Sequence, residues 1–197
     1  MASSHIDQQR RNFLLSGAAL AAAPLLIPTQ ALAAEKDRYG IRGQLAPEIT
    51  LDYWIDKEGK AGHFSVAENR GKWVFLKCFQ NWCPGCHATG FPTLKAFADE
   101  FHDHPKVAIA GIQTVFEGFT ANTQDDVRKL QLRYELPITM GHDPGNEDTH
   151  ERPQTMAKYR TGGTPWLILI APDGRVVFNS FHVKTDKLIA YVKEQLV

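Results

Sequence analysis

The stretch Trp73-Val74-Phe75-Leu76-Lys77-Cys78-Phe79 is a nearly unbroken apolar run, and just beyond it lies Trp82-Cys83-Pro84-Gly85-Cys86. An apolar run without alternation reads as a central strand covered on both faces. After the cysteines, Leu94, Phe97, Ala98 and Phe101 recur at helical spacing, so a helix runs from about Pro84 to His102. A buried strand that feeds straight into a helix restricts the chain to layered α/β architectures and puts Cys83 at the junction.

The remaining elements extend that reading. Residues 49–55 alternate loosely and Asp56-Lys57-Glu58-Gly59 is a turn, which predicts a short hairpin. Val107 to Val115 reads as a second buried strand. Thr123-Gln124-Asp125-Asp126 resembles a capping box, and Val127, Leu130 and Tyr134 mark the helix behind it. Pro137 to Met140 predicts a short strand, Gly141 to Pro153 a polar loop, and the residues up to Tyr159 a brief helical turn. Trp166 to Ile170 and Arg175 to Phe181 are strands joined at Pro172-Asp173-Gly174, and Leu188, Ile189, Val192 and Leu196 form a last amphipathic helix. Crossover units come first and an antiparallel pair closes the sheet. The expectation is a three-layer α/β/α domain with a mixed central sheet and an N-terminal β-hairpin extension.

The N-terminus reads differently. Arg10-Arg11 precedes an uncharged apolar run from Leu14 to about Ile27, and Ala31-Leu32-Ala33 fits a small-x-small cleavage pattern. Together these predict a Tat-type export signal over residues 1–33, with an uncleaved membrane anchor as the alternative. Ser16, Gly17, Pro24 and Pro28 interrupt the segment as a spanning helix. Cleavage would leave an arm over 34–46 and one domain over 47–197, located in the periplasm, with no membrane span in the mature chain. Loss of Arg10, Arg11 and Asp7 keeps the charges nearly balanced, which gives no electrostatic reason to expect nucleic acid or an anionic membrane surface as partner.

Three cysteines are too few for a disulfide scaffold, and two of them sit at C-x-x-C spacing, so they point to chemistry rather than stapling. At the head of a helix Cys83 meets unpaired N–H groups and the positive end of the helix dipole, which favour thiolate over thiol. Cys86, three residues on, can form a disulfide with it and resolve a mixed disulfide with a substrate. No acidic residue lies between Cys78 and Ala98, whereas Lys77 and His87 are near, and these two are the candidate tuning residues. Cys78, inside the apolar strand, reads as a small buried hydrophobe.

The Trp82–Cys86 motif, with Gly163-Thr164-Pro165 about eighty residues later and a strand directly after it, resembles the thioredoxin superfamily, in its exported TlpA-like redoxin branch. The resemblance covers roughly Pro47 to the C-terminus. It implies a thiol–disulfide oxidoreductase that needs no cofactor and works on protein thiols and disulfides with a separate redox partner protein. It also implies a Cys83–Cys86 disulfide, a cis-proline at Pro165 facing it, Thr164 offering backbone groups to a substrate, and Trp82 as a substrate contact. The chain departs from the family pattern at three places. Lys77 stands where thioredoxins carry a buried acid, Thr89 stands where TlpA-like reductases often carry glutamate, and Pro92 follows Cys86 by one residue more than usual, a surplus expected as a bulge at Gly90.

Three rivals deserve a test. Cys83-Pro84-Gly85-Cys86-His87 matches the C-x-x-C-H haem attachment pattern with His87 as iron ligand. A peroxiredoxin-like thiol peroxidase would share the fold, but Gln80 occupies the place of its threonine. A copper or zinc carrier would have to gather His87, His142, His150 and the two cysteines, while His102 and His104 read as solvated residues near a helix end.

Overall fold

The computed structural model describes residues 38–197; the expected export signal over 1–33, its expected cleavage site and the first residues of the expected arm lie outside them. Six strands form one sheet in the order β1-β4-β3-β2-β5-β6. They are β1 Tyr53–Ile55, β2 Trp73–Phe79, β3 Val107–Val115, β4 Thr139–Pro144, β5 Trp166–Ile170 and β6 Val176–Ser180. Four α-helices accompany them: α1 Phe91–Phe101, α2 Gln124–Arg133, α3 Gln154–Tyr159 and α4 Thr185–Leu196. The arrangement is the expected thioredoxin-like α/β fold.

Strands β2, β3 and β4 are parallel neighbours, linked through α1 and then α2. Two right-handed crossovers that travel the same way across a sheet put both helices on one face. Their apolar stripes accordingly meet there. Phe75 and Phe79 of β2 pack with Phe91, Leu94 and Phe97 of α1, Val127 and Leu130 of α2, and Leu188 and Val192 of α4. The opposite face takes the alternate residues of β2, Val74, Leu76 and Cys78, beneath Tyr159 of α3 and the N-terminal residues Ile41, Ile49, Trp54 and Phe64. Strand β5 runs antiparallel to β2 on the other side and pairs with β6.

Several boundaries differ from the sequence expectation, each for a physical reason. The hairpin keeps its turn, with Asp56 N–H donating to Lys60 C=O at 2.9 Å, but its return arm shrinks to one bridge at Ala61, while β1 pairs antiparallel with β4 at the sheet edge. The polar stretch Gly141–Pro144, expected as loop, continues β4. Gly141 fits under Trp54, His142 Nδ1 bonds Gln113 at 2.7 Å, and Asp143 accepts the N–H groups of Gln154 and Thr155, so the imidazole and the carboxylate find partners inside the fold. The last strand is trimmed by a residue at each end, to Val176–Ser180. The helix after the cysteines does begin at Pro84, yet Cys86–Gly90 forms a π-turn before regular α-helix resumes at Phe91. Phe91 N–H reaches back to Cys86 C=O, so the surplus residue before Pro92 is absorbed in one wide turn.

The arm does not hang free. Gly43 N–H donates to Val176 C=O at 2.7 Å, Val176 N–H to Gln44 C=O at 2.9 Å and Ala46 N–H to Gly174 C=O at 2.9 Å, which lays residues 43–46 against the start of β6 and the turn before it.

Candidate active site

Strand β2 ends at Phe79, and the chain turns through Gln80, Asn81 and Trp82 before the helix starts. That turn is held from outside by Asn122, which is buried at the end of a 3-10 turn over Phe119–Ala121. Its Oδ1 accepts the Asn81 N–H at 2.6 Å, and its Nδ2 donates to Gly118 C=O at 2.8 Å. Gly118 has φ +61°, and a Cβ there would lie 2.8 Å from the Trp82 indole nitrogen. The site therefore requires glycine at that position. Trp82 is 45% exposed, with its N–H donating to Gln80 Oε1 at 3.2 Å, so the indole lies tethered and open beside the cysteines.

The two sulfurs occupy different environments. Cys83 is 7% exposed and Cys86 fully buried. The backbone N–H of Cys86 points at the Cys83 sulfur at 3.3 Å, and that sulfur lies 3.6 Å from the Thr164 carbonyl oxygen. Burial, together with the Cys83 sulfur beside it, pushes the Cys86 thiol up to about 12 despite donors from Gln80 and Thr164. The Thr164–Pro165 peptide is cis, and the proline ring lies against the helix start: a Cβ on Gly85 would come within 3.2 Å of Pro165 Cδ, and one on Gly90 within 2.9 Å of Pro165 Cβ. The structure thus brings Trp82, Cys83, Cys86, Thr164 and Pro165 together. An outer sulfur open to attack and an inner one three residues away can pass through a mixed disulfide and close it.

The tuning candidates are placed unequally. Lys77 projects from β2 onto the Cys86 face of the sheet and is 3% exposed. Burial lowers its ammonium from 10.5 to about 8, with negative charge on Cys78, Cys86 and Cys83 acting against that shift. His87 is tied at both ring nitrogens, Nε2 to Asn81 C=O at 2.5 Å and Nδ1 to Tyr134 OH at 2.6 Å. A carbonyl can only accept, so Nε2 donates to Asn81, and the tyrosine hydroxyl engages the other ring nitrogen. Tyr134 is itself fixed by stacking on Phe91, with ring centroids 4.3 Å apart. Asn81, Asn122 and Tyr134 are supports that sequence reasoning missed; only the helical spacing of Tyr134 and the turn-forming character of the asparagines could have flagged them. Thr89, at the family's glutamate place, merely caps the Gly85 carbonyl at 3.1 Å.

The rival ligand sets do not assemble. His87 has both nitrogens engaged, His142 bonds Gln113 across the sheet, and His150 lies in the loop between β4 and α3. Among the described residues no group of three or more His, Cys, Asp and Glu side chains is placed to hold a metal ion. His102 spans Ala98 C=O and Asp103 near the end of α1. Cys78 faces the opposite side of the sheet from Cys86, fully buried, and desolvation drives its thiol far above the usual range.

Residues 42–179 match the AhpC/TSA family, whereas no curated protein matches the chain. Among solved structures, a thioredoxin-like superfamily protein is 30% identical, with a TM-score of 0.65 over 77% of this chain and 95% of its own. A thiol-disulfide isomerase from Corynebacterium glutamicum is 28% identical, with a TM-score of 0.64 over 77% and 96%. The thioredoxin domain of a thiol-disulfide oxidoreductase from Bacteroides vulgatus shares the fold at 22% identity, with a TM-score of 0.58 over 80% and 99%.

Proposed function

The chain belongs to the AhpC/TSA family, an oxidoreductase on a thioredoxin-like fold, and from that premise we propose that it exchanges disulfides with protein substrates through Cys83 and Cys86. In the reducing direction the Cys83 thiolate attacks a substrate disulfide, one substrate sulfur leaves as thiolate, and a mixed disulfide forms. Cys86 then attacks Cys83, releases the second substrate thiolate and leaves a Cys83–Cys86 disulfide; the oxidising direction is the reverse. Thr164 and Pro165 orient the substrate backbone, and the exposed Trp82 face packs against it. The reading rests on one observation above all: the outer sulfur faces the Thr164 carbonyl at the cis-proline while the inner sulfur is sealed from solvent.

Export through a Tat-type signal over residues 1–33 belongs to the same proposal. It is supported by Arg10-Arg11, the apolar run and Ala31-Leu32-Ala33. The arm over 34–46 and the domain over 47–197 then work in the periplasm, and a separate redox protein resets the pair. Among the described residues no helix is long and apolar enough to cross a membrane.

A redox titration in glutathione buffers, with trapped thiols counted by mass, tests the reading. Cys83 and Cys86 are expected to titrate together as one two-electron couple, and independent titration would overturn it. A midpoint near about −120 mV would mark an oxidant and one near about −270 mV a reductant. The family match also favours a second reading, reduction of peroxides by Cys83 through a sulfenic acid that Cys86 condenses to a disulfide, releasing water at each step. Gln80 in place of a threonine weighs against it. Rapid consumption of substoichiometric hydrogen peroxide, faster than disulfide exchange, would raise it above the first.

A further inference from the structure

Lys77 is a cation inside an apolar core, and among the described residues no carboxylate accounts for it. It neighbours Gly111 on β3 and Leu167 on β5, neither of them titratable. The groups whose charge acts on it are Cys78, Cys86 and Cys83. The ion pairs of the covering helix, Lys95 with Asp99, and of Glu100 with Lys193 on α4, lie at the surface. A buried ammonium without a counter-ion is costly and calls for a use.

Its position supplies one. The π-turn places Gly90 where a side chain would stand between three groups. The point that a Gly90 Cβ would occupy lies 3.5 Å from Lys77 Cε, 3.7 Å from Cys86 Cβ and 2.9 Å from Pro165 Cβ. Lys77 Cε and Cys86 Cβ, the carbons that carry the amine and the sulfur, thus flank the one space that glycine leaves open. Cys86 must lose a proton before it can resolve a mixed disulfide, and it is fully buried.

We propose that Lys77, as a neutral amine, accepts the Cys86 proton across the gap at Gly90 during resolution of the mixed disulfide. This rests on the exchange reading given above. The balance is direct: Cys86 S–H gives its proton to the Lys77 amine, and the Cys86 thiolate forms the bond to the Cys83 sulfur. The bond from Cys83 to the substrate sulfur breaks, the substrate leaves as thiolate, and the ammonium passes its proton to that thiolate or to water. The cysteine pair is oxidised by two electrons and the substrate disulfide is reduced by two.

The electrostatics fit the order of events. An amine held near 8 is partly neutral at physiological pH, unlike a solvated lysine. Once Cys83 is tied up in the mixed disulfide it carries no charge, so its Coulombic opposition to a Cys86 thiolate disappears at the moment resolution is required. Burial and Cys83 govern the Cys86 thiol, and the lysine enters as a proton acceptor rather than as the charge that sets it.

Stopped-flow reaction of the reduced full chain, in excess, with 5,5′-dithiobis(2-nitrobenzoate) separates the steps. The first thionitrobenzoate leaves when Cys83 attacks, and the second when Cys86 resolves. In the unmodified protein the second phase should rise with pH and level off with a midpoint near 8. Lys77→Met removes charge and acceptor; Lys77→Arg keeps charge but accepts no proton. Both should lose the plateau and slow the second phase about 100-fold at pH 8, with the first phase changed by no more than about two-fold. A Lys77→Arg profile equal to the parent's would assign the lysine to charge alone and overturn the proposal. So would a parent profile that climbs without levelling to pH 10, a result that needs no variant to fold. Release of a single equivalent by the parent would overturn the exchange reading as well, whereas two equivalents with unaltered variants would sink the lysine's role only.

Discussion

A Cβ on Gly90 would meet Pro165 at 2.9 Å and Lys77 at 3.5 Å, so the tight packing between helix and cis-proline loop depends on an absent methyl group. Gly90→Ala should cost about 1–3 kcal/mol by overpacking, read from the urea midpoint; an unchanged midpoint would mean the proline loop yields freely. Lys77 gives a second prediction, with a definite sign. Folding lowers its ammonium from 10.5 to about 8, so between those values the unfolded chain holds a proton that the folded chain has released. This contribution makes stability rise as pH climbs through that window, and below it the buried charge costs up to about 3 kcal/mol. Lys77→Met should therefore be more stable than the parent at pH 7, with an advantage that shrinks toward pH 10. Denaturant midpoints at both pH values check this, and a constant gap would show that the ammonium is not desolvated.

At the scale of elements, the capping box shows what local sequence can announce. Thr123 N–H and hydroxyl both donate to Asp126 Oδ2, at 2.9 and 2.8 Å, as Thr123 and Asp126 alone suggested. Thr123→Ala should cost about 1 kcal/mol and speed amide exchange in the first turn of α2; equal exchange rates would deny the cap its role. The π-turn was legible too, because Pro92 stood one residue late and a helix has few ways to absorb a surplus. The strand Gly141–Pro144 was not. Its polar residues read as loop because the partners that satisfy them, Gln113 and the backbone of Gln154 and Thr155, become neighbours only after folding. The same limit hid the anchoring of His87, whose ring is held by Tyr134 from 47 residues away. Cys83 and Cys86 were legible from the strand end and the helix start, whereas Thr164 and Pro165 were pointed to by the resemblance that Gly163-Thr164-Pro165 carries, and strands β2 and β5, paired in the sheet, join the two stretches.

At the scale of the molecule, the sheet has two margins. Strand β1 keeps one of them short, at Tyr53–Ile55, and residues 43–46 are hydrogen-bonded over the start of the other, at Gly174 and Val176. An unpaired strand edge is a template for a second copy. A chain beginning at Pro47 should consequently self-associate as its concentration rises, while one beginning at Ala34 stays monomeric; sedimentation velocity on both checks this, and identical behaviour would mean the β6 margin needs no cover. Were the proposed signal cut after residue 33, the cloth would stay hemmed, and thirteen residues further along the same scissors would unpick it, so the place of such a cut would bear on self-association as much as on address.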